Sequence, residues 1–490
     1  MKTKTVALFV CSLLGIQTAY SAPISFQQAW ELLQQNNNSL AAERANVERY
    51  EHVANSKGNL NLPSITVGAN YTRLDNNITL SVQQVAESSA QSIALSAFLS
   101  SLGSFTSTIT ERDIFTSSIR AVWPIFTGGR ISAAQNAASG QKEEAQSQLA
   151  METQARYEDL AKYYFSVVLA QQVLETRVSV EAGLTKHRDN AAKLEQQGQI
   201  AHVERLQADA SLDKASVERK KAQKDLDIAQ SALTEILGQT TQVEPDGMLF
   251  INQSLPPMNA FIDQTLNTYP GLNLLDAKEK QASSLINAEK GKYYPEVYLY
   301  GDYNLYEDDS LASQMTPDWL VGIGVSVPLL ENTGRSDQMK AAQSAVSQVK
   351  YLKAQARQDL QVLVKKTYLE AEQALEEVTG LNSSLNLAQE NLKLRQKAFA
   401  QGLSTSVDVV DAELYLASIK TQQYVASFNY LISLNKLLAL TSEMDTFDTY
   451  KKSAIPLTNV TSSVNADSKT SAHLKPSAYS QSIANEKDPS

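Results

Sequence analysis

Two carboxylates, Asp408 and Asp411, stand three residues apart. That spacing puts both on one face of a helix. They follow directly on Gly402-Leu403-Ser404-Thr405, so they fall in the opening turns of a helix beginning near residue 406. A local reading makes Thr405 the N-cap and gives Asp408 a favoured place at the positive end of the helix dipole. Glu204 and Gln207 occupy the equivalent positions of an earlier stretch that follows Gly198. Other chemistry finds few residues. The four histidines, His52, His187, His202 and His473, lack metal-ligand spacing, and no HExxH occurs. Gly322-Ile323-Gly324 lies in a strand-like run without the rest of a dinucleotide fingerprint. There is no P-loop and no Gly-x-Ser-x-Gly elbow. No enzyme, metal or cofactor is expected. A net charge of −10 without a basic stripe excludes nucleic acid as a partner.

The elements that must position these residues are long. The 490 residues include only 19 Gly and 13 Pro, where average usage would give roughly 34 and 25. Few turn residues imply few, extended elements. Lys2 and Lys4, the apolar stretch 6–16 and the small residues Ala19, Ser21 and Ala22 read as a signal peptide over residues 1–22. Cys11, the only cysteine, falls inside it, and Val10 stands where a lipid-attachment site wants a small residue. The mature chain would then have no disulfide and no thiolate. No other run approaches the ~18 apolar residues of a membrane-spanning helix.

The chain repeats itself. Leu62-Pro63-Ser64-Ile65-Thr66-Val67 corresponds to Tyr294-Pro295-Glu296-Val297-Tyr298-Leu299. Trp123-Pro124-Ile125-Phe126 corresponds to Val327-Pro328-Leu329-Leu330, Gly129-Arg130 to Gly334-Arg335, and Gly198 to Gly402. Such self-similarity marks a duplicated architecture. Repeat 1 (23–238) reads as a helix, strands at about 62–74 and 113–125, a long helix 130–197 and a returning helix 202–237. A linker covers 239–259. Repeat 2 (260–442) reads as a helix, strands at about 295–306 and 318–328, a long helix 335–400 and a returning helix 406–440. The tail 443–490 is polar and reads as disordered. The loop 75–112 is rich in Ser, Ala and Gln, with room for a short helix. Along the second long helix, Leu360, Val364, Thr367, Ala371, Ala374 and Val378 through to Phe399 step by four and three, a heptad seam. Tyr157, Leu160, Tyr164, Val167, Gln171, Leu174 and Val178 follow the same rhythm. A 65-residue helix is about 98 Å long.

The strands alternate with period two, Ile65, Val67, Ala69 and Tyr71 against Thr66 and Asn70, and Val297, Leu299, Gly301 and Tyr303 against Asp302 and Asn304. Their length and dyad pattern suit a membrane barrel wall, with Tyr71, Trp123, Tyr303, Tyr306 and Trp319 as girdle aromatics. Four strands cannot close a barrel, and open edges are forbidden in lipid. Two chains would give eight strands and a filled interior. Three would give twelve and an aqueous lumen, which is the favoured count. The competing reading is an exported coiled-coil structural or adhesion protein without a pore. Four aromatic-rich amphipathic strands count against it.

With these features the chain resembles the TolC family of bacterial outer-membrane efflux and secretion channels, from about Phe26 to Leu440. The resemblance rests on the repeat, on the strand-to-helix corners with Pro124, Gly129, Pro328 and Gly334, on Gly402-Leu403-Ser404-Thr405-Ser406-Val407-Asp408-Val409-Val410-Asp411-Ala412, and on Phe428-Asn429-Tyr430-Leu431-Ile432-Ser433-Leu434-Asn435. It implies a mainly α fold with a small β part, namely a homotrimer whose 12-stranded barrel sits in outer-membrane lipid and continues as a long α-helical barrel in the periplasm. The implied partners are a periplasmic adaptor (membrane fusion) protein and an inner-membrane transporter of RND, ABC or MFS type. The implied function is an exit duct for drugs, toxins or proteins, in efflux or type I secretion. Asp408 and Asp411, with Glu204 as a candidate third member, match the family's acidic constriction ring. The turns at Gly198, Gly402 and Ser404 match adaptor-docking tips. By the resemblance, Ser404 stands where the best-known members carry a basic latch residue, and Phe399 where an aromatic hydroxyl would assist it. The acidic ring survives this departure; the detailed latch does not.

Overall fold

The structure is a computed structural model and describes residues 23–81, 106–308, 313–329 and 334–457. The expected signal peptide with Cys11, and the tail beyond residue 457, lie outside the described residues. So does 82–105 of the loop with room for a short helix. The chain divides into two units. One gathers Glu43–Leu149 and Pro270–Ala356 and contains the membrane-type strands. The other gathers Ala150–Tyr269 with the described parts of Met1–Ala42 and Arg357–Ser490.

In chain order the elements are α1 (Phe26–Asn36), α2 (Asn38–Gly58), β1 (Ser64–Arg73), β2 (Ile78–Ser81), β3 (Thr106–Thr110), β4 (Asp113–Phe126), α3 (Arg130–Gln196) and α4 (His202–Ile236). Then come β5 (Phe250–Ile251), α5 (Met258–Thr268), α6 (Pro270–Gly291), β6 (Glu296–Glu307), β7 (Trp319–Ser326), α7 (Arg335–Ala400), α8 (Ser406–Leu440), α9 (Phe447–Lys452) and β8 (Ile455–Pro456). The series helix, helix, strand, strand, long helix, returning helix therefore occurs twice, with the short strands β2 and β3 inserted between β1 and β4 in the first run.

In the strand unit, β1, β4, β6 and β7 form one antiparallel sheet in the order β1-β4-β6-β7. The two expected hairpins are thus joined, through the β4–β6 pairing. Register sets Ile65, Val67 and Tyr71 opposite Ala121, Ile119 and Phe115. It sets Leu299, Gly301 and Tyr303 opposite Ile323, Val321 and Trp319. One face is therefore apolar across all four strands, and it is exposed: Val67 is 68% and Val321 74% accessible. The other face carries Thr66 and Asn70, and Arg120 pairs with Asp302 across β4 and β6 at 2.9 Å. Trp123 Nε1 donates to the Asn61 carbonyl at 2.8 Å. The strand β4 does not stop at Pro124. Its register shifts between Pro124 and Phe126, a bulge that absorbs the missing N–H. By contrast β7 ends at Ser326, two residues short of Pro328. Beyond the sheet, the described part of the loop 75–112 holds a small antiparallel pair, β2–β3.

Below the sheet α2, α3 and α6 are tied by Lys142–Glu51 (2.9 Å), Lys280–Glu143 (2.6 Å) and Lys278–Glu144 (3.0 Å). Exposed pairs of this kind contribute at most about 1 kcal/mol each. The turn from β4 into α3 depends on Gly128. Its φ is +63°, and a Cβ there would meet the Gly291 carbonyl oxygen at 2.4 Å. The expected corner glycines, Gly129 and Gly334, are also left-handed (φ +84° and +64°) but face open space.

In the other unit, two helices expected as single stretches are broken. Asn37 turns extended between α1 and α2 and accepts the Leu40 N–H at 3.1 Å. Tyr269 turns extended before Pro270, as the residue preceding a proline tends to. Phe26 lies against Tyr157, Tyr164, Phe165 and Phe447, with ring centroids 4.8–5.5 Å apart. Tyr157 donates to Asn435 Oδ1, and Tyr430 donates to Asn252 Oδ1, each at 2.9 Å. Asn252 in turn donates to the Tyr450 carbonyl. The segment after residue 443 is thus not uniformly disordered: Phe447 enters the core, and β8 pairs with β5. The α7 seam buries Leu360, Val364, Thr367, Ala371, Ala374, Val378, Leu385, Ala388 and Phe399. On α3 the expected rhythm holds through Val167 and then departs. Val178 is 47% exposed, and Thr176, Val180, Leu184, His187 and Ala191 are buried instead. Val180 and Leu184 turn toward Ala215 of α4 and Val410 and Ala417 of α8, which accounts for the shift.

Gly128→Ala should lower thermal stability more than Gly129→Ala or Gly334→Ala. A left-handed alanine costs about 1–2 kcal/mol, and only at Gly128 must backbone also move aside. Melting of the detergent-solubilised variants checks the order.

Candidate functional site at the helical tips

Both long helices end in the same way. Gly198 (φ +71°) donates to the Glu195 carbonyl at 2.8 Å and Gln199 to that of Leu194 at 2.9 Å. Gly402 (φ +70°) and Leu403 donate to the carbonyls of Phe399 and Ala398, both at 2.9 Å. These are Schellman caps, and the left-handed residue is the reason each needs glycine. The chain then reverses into α4 and α8. At the start of α8 a capping box forms. The Asp408 N–H donates to Thr405 Oγ1 at 3.3 Å, while Asp408 Oδ2 accepts from the Thr405 N–H (2.9 Å) and hydroxyl (2.8 Å). The Ser404 hydroxyl adds a bond to the same oxygen at 3.0 Å. The other oxygen faces Arg395 at 3.5 Å. The Thr405 and Ser404 bonds, with a smaller share from Arg395, hold the Asp408 carboxyl below its ordinary range.

The two tips meet within one chain. Glu204 Oε2 accepts the Ser406 N–H at 2.7 Å, so this carboxylate sits on the N-terminus of α8. Ser406 Oγ is 2.6 Å from His187 Nε2, and the imidazole lies against the Phe399 ring with centroids 4.5 Å apart. Ala191, Ala208, Phe399 and Val409 fill the space beneath. His187 is 6% exposed. Burial pushes its pKa down, and the Glu204 charge opposes this in part. At the first turn, Glu195 accepts from His202 Nδ1 (2.5 Å) and Arg205 Nε (2.7 Å), and Arg205 also pairs with Asp209 (2.6 Å).

Of the residues singled out in the sequence, Asp408 is partly exposed and committed to its cap. Glu204 is turned onto Ser406. Asp411 is exposed and lines a shallow groove of about 590 Å³ between α3, α4 and α8, beside Gln207, Lys214, Arg177 and Glu218. Ser404 supports Asp408, and Phe399 is buried against His187. The corner residues Pro124, Gly129, Pro328 and Gly334 belong to the strand unit. Sequence reasoning missed His187, Glu195 and Arg395. A signal for His187 was present, since it continues the apolar series Val180, Leu184, His187, Ala191. Among the described residues no group of three or more His, Cys, Asp or Glu side chains could hold a metal ion.

Because His187 is harder to protonate folded than unfolded, its stabilising contribution is complete above the free imidazole pKa of about 6.5 and is lost as pH falls below it. Protease cleavage at the tips should therefore rise between pH 7.5 and 5.5. In His187→Gln that rise should flatten, which limited proteolysis with mass-spectrometric mapping of the cuts would register.

The comparisons with known proteins bear on both units. The chain is 24% identical over 332 residues to outer membrane protein TolC of Vibrio cholerae, covering 62% of this chain and 72% of that one. It is 23% identical over 317 residues to the cobalt-zinc-cadmium resistance protein CzcC of Cupriavidus metallidurans, covering 64% and 74%. Among solved structures, the outer membrane protein VceC of Vibrio cholerae matches with a TM-score of 0.68 at 14% identity, over 85% of this chain and 96% of that one. The MtrE outer membrane channel of Neisseria gonorrhoeae matches with a TM-score of 0.67 at 18% identity, over 86% and 89%. The profile of the outer membrane efflux protein family falls on residues 29–239 and 261–443, one match for each run of the duplicated element series. The chain therefore belongs to the outer membrane efflux protein family.

Proposed function

We propose that three copies of this outer-membrane protein close a twelve-stranded barrel that continues as a helical barrel. The assembly is the exit duct of a tripartite efflux pump. It takes cargo from a periplasmic adaptor and an inner-membrane transporter of RND, ABC or MFS type, and type I secretion is a second use of the same duct. The observation that carries this reading is the four-stranded sheet, apolar on one face, polar on the other and unpaired at β1 and β7. An edge of that kind cannot stay open in lipid. Twelve strands leave a lumen, whereas eight would be filled by side chains. The helices that follow, of 67 and 66 residues, are about 100 Å long at 1.5 Å per residue. The mass of the detergent-solubilised oligomer tests the stoichiometry. Loss of the encoding gene should sensitise cells to toxic compounds, and unchanged resistance would count against the efflux role.

At the tips, threefold symmetry would bring Asp408 and Asp411 of three chains around the passage. A ring of carboxylates makes a pore cation-selective. Asp411 is the freer of the two, since Asp408 spends one oxygen on Thr405 and Ser404. Glu204 serves better as a support for α8 than as a ring member. In planar bilayers, Asp411→Asn should reduce cation preference and divalent-cation block several-fold, and Asp408→Asn should reduce them less. Equal, unchanged currents in both variants would remove the ring. The turns at Gly198, Gly402 and Ser404 are the proposed adaptor contacts. A bulky residue at Gly198 or Gly402 should abolish export without dissolving the oligomer, measured by accumulation of a fluorescent substrate alongside native gels.

A further inference from the structure

Two glycines in β7 lie where two tyrosines of β6 need bare backbone. Gly322 and Gly324 are the register partners of Tyr300 and Tyr298. All four are on the polar face, together with Glu296, Asp302 and Ser326. Each tyrosine ring crosses the neighbouring strand in the space a side chain would occupy. A Cβ on Gly322 would lie 2.7 Å from Cζ and Oη of Tyr300, and one on Gly324 would lie 2.3 Å from Cζ of Tyr298. The two rings are 6.0 Å apart. A glycine inside a strand costs about 0.5–1 kcal/mol relative to alanine, and it commonly marks a place where another group must come close. Here the close group is an aromatic ring laid over the glycine, a known way to recover the lost packing. The apolar face of the same strand carries Trp319, Val321, Ile323 and Val325, so the smallness is confined to one side.

We infer that Gly322 and Gly324 are positioning residues for the bore of the duct. They let Tyr298 and Tyr300 lie flat along the inner wall instead of standing into the passage. This rests on the reading above that the polar face lines a pore. With three chains, six rings at two adjacent levels would be folded against the wall. A Cβ at either glycine lifts a ring off the strand and narrows the passage for bulky cargo first, and for small ions least.

Ser326 gives the test. It lies on the same face one step past Gly324, at the end of β7 that pairs with Glu296, so a reagent entering from outside the cell must pass both tyrosine levels. Cys11 is the chain's only native cysteine. Intact cells carrying the full chain with Ser326→Cys are treated with thiol-reactive maleimides of graded size. Adding Gly322→Val and Gly324→Val should leave labelling by the smallest reagent unchanged and slow the largest several-fold. Further adding Tyr298→Ala and Tyr300→Ala should restore the rate. Unchanged labelling by the largest reagent with oligomers intact overturns the inference, and so does slowing that persists without the tyrosines. Should the valine variants not reach the membrane, Tyr298→Ala with Tyr300→Ala in the native glycine background decides. Flat rings predict little gain in size limit, and a large gain means the rings stand in the passage. If the smallest reagent never reaches Ser326→Cys in the otherwise native chain, the pore-lining reading itself fails, and the bore inference with it.

Discussion

A sheet with one apolar face and two open edges cannot be a finished object in a bilayer. Each unpaired N–H or C=O at the edges of β1 and β7 would cost several kcal/mol in hydrocarbon. Neither strand can pair with the other within one chain while β4 and β6 lie between them. In the proposed assembly another copy meets the unpaired groups. This requirement governs much else in the sequence. It accounts for a wall built from four long strands among the described residues of each chain. It explains why most of their apolar residues point to one side. In that assembly, association would contribute the stability that disulfides supply elsewhere.

The helical part solves a different problem, that of ending a very long helix at a defined place. Heptad packing has no natural stop. The stops come from Gly198 and Gly402, whose left-handed backbone turns each chain back, and from the capping box that restarts α8 at Thr405. The two turns are then locked together by Glu204, Ser406, His187 and Phe399. Charge here serves mainly to position backbone. Asp408 and Glu204 both spend oxygen atoms on amide groups at a helix start, and Asp411 remains exposed.

Much of this was legible in the sequence because it depends on local rules. Period-two alternation located the strands to within a few residues, and Gly and Pro marked the corners and turns. The breaks at Asn37 and Tyr269 were missed because a single extended residue leaves the apolar pattern almost undisturbed. The joining of the two hairpins through β4 and β6 is a long-range pairing that no local pattern encodes. The apolar seam of α3 was misread beyond Val167, because the helix there faces α4 and α8, and tertiary partners decide which residues turn inward. At the tips the sequence supplied the acidic residues but not their allocation. Whether a carboxylate caps a helix or faces a passage depends on a neighbouring amide a few ångströms away, as Ser406 does for Glu204. Nor could spacing tell that Ser404 would join the cap of Asp408.

The short pairing of β8 with β5 bears on how the protein is made. Among the described residues the linker strand Phe250–Ile251 pairs with Ile455–Pro456, and Phe26 near the start of the described chain rests on Phe447. A polypeptide threaded across a membrane from its N-terminus presents Phe26 first and Phe447 last. The aromatic core of this unit therefore stays incomplete through nearly the whole of export. Contacts that distant in sequence are slow to form, and the half-delivered chain exposes the same apolar rings that later stabilise it. Truncation just before residue 447 would remove the last piece of a core laid down from the first helix.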